Sequence, residues 1–269
     1  MSSKPDPRIA STTVTGGPAD LIGHDLVIVD EFIFRGELVH IPRPLAGVPE
    51  FVAVAEAEVK ADDLREKLLA TLTDEGPAKW QKDTSLVVEM RAAAESAVIT
   101  AVVGLEAFSN HHVTRIADHQ TGELDVAGER TTAAELRERS LDERYKRVLP
   151  AILGVGNPAG KQWWQVFRRA QALAALTRHA VDEPIARRGL SSKRSLAERY
   201  YLGEYQGVTR MMFVVFEHFS PNWISDDRLR AIGDGRSSIA DALAALAGAR
   251  VVLRGHSRGG SAQGPAAAG

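Results

Sequence analysis

Residues 96–111 read SAVITAVVGLEAFSNH, and this stretch decides the fold that we predict for the chain. From Ser96 to Leu105 it carries no charge and leaves no obviously polar face, which is typical of a helix at the centre of a bundle. Glu106 and Asn110 continue the helical stripe on which Ile99 lies. A carboxylate on that stripe needs a partner, because burying it unpaired costs several kcal/mol or forces its protonation.

The composition indicates a globular protein with a hydrophobic core, since 44% of the 269 residues are hydrophobic and 25% are charged. The chain has no cysteine, which excludes disulfide frameworks, cysteine-ligated metal centres and thiol nucleophiles. The apolar run Ser96–Leu105 is far too short to span a bilayer, and the sequence does not open with a signal-peptide pattern. We therefore expect a cytoplasmic protein that does not bind membranes.

Charge is distributed unevenly along the chain, although the net charge is only −2. Residues 1–83 contain nine Lys and Arg against fifteen Asp and Glu, whereas residues 129–200 contain fifteen against eight. Either the two regions attract each other within the fold, or the basic region forms a surface that binds RNA or an acidic partner. The sequence leaves both interpretations open.

We expect the N-terminal part to precede the helical bundle as a separate extension. Residues 1–22 are rich in Pro, Gly, Ser and Thr, which predicts disorder. Over residues 23–83, two apolar runs around a Gly-containing turn at 35–36 predict a β-hairpin, and the leucines after Asp62 predict a helix. The segment between them, at 51–59, fits either a strand or a helix.

The remainder of the chain predicts a helical bundle over 84–222. Its central helix begins at Thr84 or the residue after it, either of which is a good N-cap, and ends near His112. We expect this helix to be covered on nearly all sides. Further helices are predicted after the capping patterns Thr132-x-x-Glu135 and Ser140-x-x-Glu143, over about 161–182, and over 195–219. A C-terminal helical segment at 223–247 and a flexible tail at 248–269 complete a mainly α fold with a small β-containing N-terminal extension.

Two stretches of this bundle resemble a known superfamily. They are LEAFSNH at 105–111 and the later helix that contains WQVF at 164–167 and ends in LTRHAVDEP at 176–184. The pairing resembles the higher eukaryote and prokaryote nucleotide-binding (HEPN) superfamily, in which an apolar helix ends in Glu-Ala-Phe-x-Asn and a later helix in Leu-Arg-Asn-x-x-Val-His. The resemblance covers about residues 84–220. It implies a HEPN-like helical bundle of the kind that is common in bacterial conflict systems.

The chain departs from the family at the catalytic positions. The resemblance implies that an active ribonuclease would carry an Arg and a His four to six residues apart, and the matching positions here hold Thr177 and Asp182. Thr has no positive charge, and Asp cannot act as an imidazole acid. The resemblance therefore implies a catalytically inactive binding or regulatory module, in a bacterial defence or toxin–antitoxin setting.

Two alternative functions stay open. In the first, Arg178 and His179 act as a displaced catalytic pair of a metal-independent endoribonuclease, although adjacent residues on a helix point about 100° apart. In the second, a crevice of the bundle senses a nucleotide or another small molecule through Glu106, Asn110 and Arg178. An exposed ion pair between His179 and the acidic residues after it explains that part of the sequence without any catalytic role.

Arg178 is the cation that we expect to pair with Glu106. It continues the stripe of Trp164 and Phe167 on the one later helix whose pattern suggests antiparallel packing on the central helix. A buried Glu–Arg pair would link the two helices, with Asn110 as a neighbouring hydrogen-bonding group. The three polar residues then either contact a ligand or only fix the register of the helices.

No motif in the sequence predicts a cofactor or a metal. A Walker loop, a Rossmann glycine pattern and a G-x-S-x-G elbow are all missing. His111, His112 and His119 are irregularly spaced and no acidic cluster accompanies them, so we expect no metal site. The partners that we expect are another protein or a second copy of the chain, with RNA binding possible through residues 129–200.

Overall fold

The structure, a computed structural model, is mainly helical with small β elements, and it confirms the prediction of a mainly α protein. It describes residues 11–13, 25–27, 29–34, 37–42, 44–75, 84–119, 123–179, 196–234 and 238–245. The helices are α1 (Val48–Glu75), α2 (Thr84–His119), α3 (Ala133–Glu138), α4 (Leu141–Glu143), α5 (Leu149–Leu153), α6 (Gln162–His179), α7 (Leu196–Tyr201), α8 (Val208–Phe219) and α9 (Asp227–Gly233). A π-helical segment, Arg144–Val148, lies between α4 and α5, and residues 239–245 are also helical. The strands are β1 (Ser11–Thr13), β2 (Asp25–Val27), β3 (Val29–Phe34), β4 (Glu37–Pro42), β5 (Glu123–Val126) and β6 (Glu129–Thr132).

The long helices α1 and α2 form the centre of the fold. They make the most extensive contact between any two elements, and α6 and α8 also pack against α2. The core at this crossing includes Val98, Leu105 and Phe108, none of which is exposed to solvent. Burial of each such side chain contributes about 1.5–3 kcal/mol, so most of the stability of α2 comes from this packing.

Two glycines permit the close approach of α1, α2 and α8. A Cβ atom on Gly104 would lie 2.7 Å from the Cβ of Glu50 and 2.7 Å from the Cε of Met212. Gly47, directly before α1, has a φ of +80°, a left-handed conformation that favours glycine. A Cβ atom there would lie 2.7 Å from the carbonyl oxygen of Gly104, so a larger residue at either position would push the helices apart.

The predicted central helix is present, but it is not covered on all sides. α2 begins at Thr84 as expected and continues past His112 to His119. Val88 and Val103 are 64% and 41% exposed, so one face of this helix is open and the expectation of cover on nearly all sides is wrong. Composition alone cannot separate an apolar face that meets a neighbouring helix from one that is left open, because both carry the same residue types.

α1 belongs to the helical core rather than to an N-terminal extension. Its segment 51–59, for which the sequence left strand or helix open, is helical and buries Phe51 and Val54 completely. The ring of Phe51 lies beside two aromatic rings of α8. The helical core therefore begins at Val48, before the boundary that we expected at residue 84.

The N-terminal strands form two antiparallel pairs. β3 and β4 form the predicted hairpin, in which Phe34 lies opposite Glu37. β1 pairs with β2 in the same antiparallel way. Because β1 lies within residues 1–22, the prediction of disorder is wrong at 11–13, and the rest of that segment lies outside the described residues.

A second hairpin, which the sequence did not reveal to us, connects α2 to α3. β5 and β6 are joined by Ala127 and Gly128, which both have positive φ, as the two-residue turn of a hairpin often requires. The predicted capping box at Thr132 is confirmed, and at Ser140 the N-cap half of the predicted box is present. Thr132 and Ser140 each accept a hydrogen bond from the backbone N–H three residues ahead and so begin α3 and α4.

The helix predicted over 195–219 is broken into α7 and α8. Gly203 and Gly207 have φ values of +77° and +82°, which only glycine adopts without strain, and they form the turn between the two helices. The predicted C-terminal helical segment is present as α9 and residues 239–245, whereas the predicted tail at 248–269 lies outside the described residues. In the part of the chain that the structure describes, no helix is long and apolar enough to cross a membrane.

Candidate functional site

An arginine, a carboxylate and an amide lie together where α2 meets the π-helical segment. The Nη1 of Arg144 donates to the Oγ of Ser109 at 2.9 Å and to the Oδ1 of Asn110 at 2.6 Å. Arg144 is 5% exposed, and burial lowers the pKa of its guanidinium, while the negative charge of Glu106 opposes that shift. We call Glu106, Ser109, Asn110 and Arg144 the Arg144 cluster.

Glu106 is not paired with Arg178, so the predicted pairing is wrong; the positive charge near Glu106 is that of Arg144, which interacts with it electrostatically without forming an ion pair. Arg178 lies in the last turn of α6 and is exposed, and among the described residues it forms no ion pair with Glu106. The stripes of the long helices do not indicate this cation. Arg144 comes instead from a short helical segment that follows the β5–β6 hairpin, and that hairpin was missing from the prediction.

The neighbouring Tyr145 anchors the π-helical segment to α2. Its side chain is completely buried, and its hydroxyl donates to the backbone carbonyl oxygen of Leu105 at 2.9 Å. Its ring centroid lies 5.1 Å from that of Phe167 and 5.3 Å from that of Phe219. π turns inside helices are rare and are frequent at functional sites. This one places Arg144 and Tyr145 against the same stretch of α2.

The chemistry available to the Arg144 cluster is charge pairing and hydrogen bonding rather than proton transfer. Arginine stays protonated at physiological pH. The hydroxyl of Ser109 donates to the carbonyl oxygen of Glu106 at 3.0 Å, so it is engaged within its own helix. Within the cluster, the Nε of Arg144 is buried and has no hydrogen-bond partner among the described residues. The arrangement is suited to fixing how the segment and α2 pack.

Thr177, which the resemblance aligns with a catalytic Arg, is held by two hydrogen bonds. Its hydroxyl donates to the carbonyl oxygen of Leu173 at 2.9 Å and lies 2.8 Å from the hydroxyl of Tyr200. Because Thr177 has one hydroxyl proton, Tyr200 is the donor in the second bond, and this bond joins α6 to α7. The other family position, Asp182, and the side chain of His179 lie outside the described residues.

His112 lies in an aromatic cluster beside the Arg144 cluster in sequence. It is 5% exposed, and its ring centroid is 4.5 Å from that of Phe108 and 5.0 Å from that of Trp223. Burial, with smaller contributions from His111 and Arg115, lowers the pKa of His112 to about 4, so the ring is neutral at pH 7. Within the described ranges, no group of three or more His, Asp or Glu side chains is arranged to hold a metal ion.

A second buried carboxylate, which sequence reasoning missed, ties α1 to the start of α8. Glu58 is 3% exposed and accepts hydrogen bonds from the backbone N–H of Gly207 and from both the N–H and the hydroxyl of Thr209. One turn later on α1, Asp62 accepts a hydrogen bond from the hydroxyl of Tyr205 at 2.7 Å. The signal in the sequence is two acids, four residues apart, on an otherwise apolar helical stripe.

The first part of the basic region is neutralised by neighbouring acids. The guanidinium of Arg139 lies 3.2 Å from the carboxylate of Glu129, and the ammonium of Lys146 lies 2.7 Å from that of Asp142. The excess of positive charge that we counted over residues 129–200 is therefore not spread evenly over the surface.

The exposed positions of α6, in contrast, carry cations without acids, although Arg178 lies at the end of the stripe of Trp164 and Phe167 rather than on the same line as Arg168. α6 contains no Asp or Glu, and Lys161, Arg168 and Arg178, in or directly before it, are exposed. Among the residues that the structure describes, none of the three has an ion-pair partner. A groove of about 440 Å³ lies between α6 and α8, beside Trp163 and Arg210. We call Lys161, Arg168 and Arg178 the α6 basic face.

Comparison with known proteins gives no relative: no protein-family model, no curated protein and no solved structure matches the chain. The likeness to the HEPN superfamily therefore rests on the residues at 105–111 and 164–184.

Proposed function

We propose that this protein is a catalytically inactive, HEPN-like helical module that acts by binding a partner, with a regulatory role in a bacterial defence or toxin–antitoxin system. The observation that carries the proposal is the hydrogen bonding of the Thr177 hydroxyl. Its hydroxyl is occupied by Leu173 and Tyr200 at the position where a ribonuclease of the family would present a guanidinium to RNA. A threonine held in this way joins two helices and has no charge to offer a phosphate.

The other polar residues of the resemblance supply no replacement for the missing pair. Asn110 accepts a hydrogen bond from Arg144, whose charge also lies near Glu106, and Arg178 lies at the exposed end of α6. A general acid or base works best when its pKa lies near the working pH, and an arginine does not meet that condition. This supports a role in binding rather than in catalysis.

The test is to incubate the purified full-length protein with total RNA in the presence of a chelator. We expect the RNA to remain as intact as in the protein-free control, and the variants Arg178→Ala and His179→Ala to behave like the wild type. Cleavage that disappears in both variants would instead establish a metal-independent ribonuclease with a displaced catalytic pair, and the proposal would be wrong.

The exposed cations of α6 favour RNA as the ligand. The three cations of the α6 basic face lie on or directly before an 18-residue helix, which is about 27 Å long. Exposed Lys and Arg side chains spaced along such a helix can contact successive backbone phosphates, which gives an affinity that is independent of base sequence and falls with salt. The cations of residues 129–148 are less available because acids neutralise several of them.

Fluorescence anisotropy with a labelled single-stranded RNA tests this ligand. We expect the double variant Arg168→Glu/Arg178→Glu to weaken binding by about tenfold or more, and the wild-type affinity to fall with added salt. The matched control is Arg137→Glu/Arg147→Glu, which makes the same change of net charge away from α6. Equal weakening in both double variants, or no binding by the wild type at low salt, would reject the α6 basic face as an RNA site.

A further inference from the structure

The groove between α6 and α8 has the size of a small-molecule site. The two helices run antiparallel. Arg169, in the second half of α6, binds the carbonyl oxygen of Gln206 just before α8. The ring of Trp163, at the start of α6, lies 5.6 Å from that of His218 near the end of α8. The space between them is about 440 Å³, in the lower part of the range of roughly 300–1,000 Å³ that small-molecule sites occupy, which suits a ligand of one or two rings.

Most of the wall of this groove is apolar. It consists of the ring of Trp163 and the side chains of Val166, Met211 and Val214. All of these except Met211 are half-buried, so part of their apolar surface still meets water. A flat aromatic ring stacked on the indole of Trp163 would cover apolar surface on both partners, which is the usual source of affinity in sites of this kind.

Three polar groups in the lining are not used by the protein. The amide of Gln162, the indole N–H of Trp163 and the guanidinium of Arg210 have no hydrogen-bond or ion-pair partner among the described residues. Arg169, at the Gly207 end of the groove, makes one hydrogen bond, and its Nε is buried without a partner in the described part of the chain. All four groups can donate hydrogen bonds and two carry a positive charge, so they suit an anion.

The acids closest to the groove along the chain and at Gly207 are already engaged. Glu217, three residues after Val214 on α8, lies 2.9 Å from the guanidinium of Arg230. Glu58 is buried and accepts hydrogen bonds from the N–H of Gly207 and from Thr209. The charge of Arg210 is therefore left for a ligand.

We propose that this groove binds a small aromatic carboxylate, with its ring on Trp163 and its carboxylate on Arg210. One guanidinium fork satisfies both oxygens of a carboxylate, whereas a phosphate carries a third oxygen and more charge into a mainly apolar groove. The site is separate from the α6 basic face, because Arg168 follows Val166 by two residues and so lies about 200° around the helix. The inference goes beyond the proposed function and depends neither on RNA binding nor on the family resemblance.

Isothermal titration calorimetry with cinnamate tests the class of ligand. We expect a dissociation constant of roughly hundreds of micromolar, since the ligand is small and the groove leaves part of it in water. Cinnamamide, which has the same ring and no charge, is expected to bind about tenfold more weakly or worse. Hexanoate, which has the charge and no ring, and phenyl phosphate are also expected to bind more weakly. No saturable binding of cinnamate at millimolar concentration, or equal binding of any of the other three, would overturn the proposal.

Variants of the full-length chain locate the site. Arg210→Gln is expected to weaken cinnamate binding by about tenfold or more. The matched control is Arg168→Gln, an equally exposed arginine whose loss makes the same change of net charge, and it is expected to leave binding unchanged. Equal weakening by the two substitutions would mean that cinnamate is attracted only by the general charge of the protein, and the proposed site would be wrong.

Trp163→Leu tests the ring-binding part of the groove. We expect it to weaken cinnamate binding several-fold, because it removes the surface on which the ligand stacks. Circular dichroism establishes whether the variant keeps its helix content. If it does not, Val214→Trp replaces it, since a larger side chain in the wall fills the groove and is expected to abolish binding. Unchanged cinnamate binding in a folded variant would contradict the proposal.

Discussion

The carboxylate of Glu58 binds both the backbone N–H and the hydroxyl of Thr209, at 2.9 Å and 2.6 Å, and so caps the first turn of α8. The N-cap residue of α8 is Gly207, which has no side chain to do this. The cap therefore comes from a helix 151 residues earlier in the chain. One contact satisfies open backbone donors of α8 and fixes α8 against α1 at the same time.

Glu58→Gln is expected to lower the free energy of unfolding by about 2–3 kcal/mol. The variant replaces charge-assisted hydrogen bonds with neutral ones and turns an amide NH₂ group toward donors. Urea denaturation measures the change. The matched control is Glu56→Gln, an exposed position on the same helix, for which we expect a change within about 0.5 kcal/mol. Equal effects of the two substitutions would mean that Glu58 is not a cap.

Arg144→Met is expected to destabilise the protein by about 2–3 kcal/mol, because it leaves Ser109 and Asn110 without their charged donor and removes the positive charge near Glu106. The matched control is Arg147→Met, three residues later, where the side chain is 63% exposed and its ion pair is long. We expect less than about 0.5 kcal/mol there. A similar small loss at both positions would show that the Arg144 cluster contributes little to stability.

A double-mutant cycle separates the two candidate partners of Glu106. With Glu106→Gln as the first substitution, Arg144→Met is expected to give a coupling energy above about 1 kcal/mol, whereas Arg178→Met is expected to be additive. Denaturant unfolding of the single and double variants supplies the free energies. Coupling to Arg178 in place of Arg144 would contradict the position that the structure gives to both arginines.

The buried His112 is expected to make stability fall as the pH falls. Its pKa in the folded protein, about 4, lies below the ordinary value of 6.5, so the unfolded chain takes up a proton first. Stability is thus full above about pH 6.5 and declines toward pH 4, with a loss of about 2 kcal/mol between pH 7.5 and pH 5. Urea unfolding at both pH values should show this extra loss in the wild type and not in His112→Phe. An equal pH dependence in the two proteins would mean that another group is responsible.

The bond between Thr177 and Tyr200 is expected to be worth about 1–2 kcal/mol, because Thr177→Val leaves the buried hydroxyl of Tyr200 without a partner. The matched control is Thr71→Val. Thr71 also donates to the carbonyl oxygen four residues before it, but at the surface, so its loss should cost only a few tenths of a kcal/mol. Thermal or urea unfolding compares the two. A loss at Thr177 no larger than that at Thr71 would remove the argument that Thr177 joins α6 to α7.

Local signals in the sequence were sufficient for most of the helices. The caps at Thr132 and Ser140 have the structure that their spacing predicts, because both partners of each bond lie within one turn. The hairpin β3–β4 was predictable for the same reason. The β5–β6 hairpin was missed, since its turn, Ala127-Gly128, lacks the more familiar Asn-Gly or Asp-Gly pair.

Only the α2 residues of the candidate site were predictable from the sequence. Glu106 and Asn110 stand out because they interrupt an apolar stripe, and the structure gives both a cation to face. The identity of that cation was not readable, because Arg144 lies in a short charged segment that contains several other basic residues. Glu58 was also missed. Its partners are the backbone and hydroxyl groups of a distant helix start, and no spacing along the chain records such a contact.

The π turn at Arg144–Val148 makes the position of one cation depend on chain length rather than on residue type. A π turn holds one residue more than an α turn, so deleting one residue there would return the helix to its regular path. The side chains on either side of the turn would keep their faces, and only the residues inside it would be rearranged. Those residues include Arg144 and Tyr145, which bind Asn110 and the carbonyl oxygen of Leu105 on α2. Such a deletion would therefore act on the contacts of Arg144 and Tyr145 while leaving the helices on both sides in place, and the spacing of the residues carries the information that places the arginine.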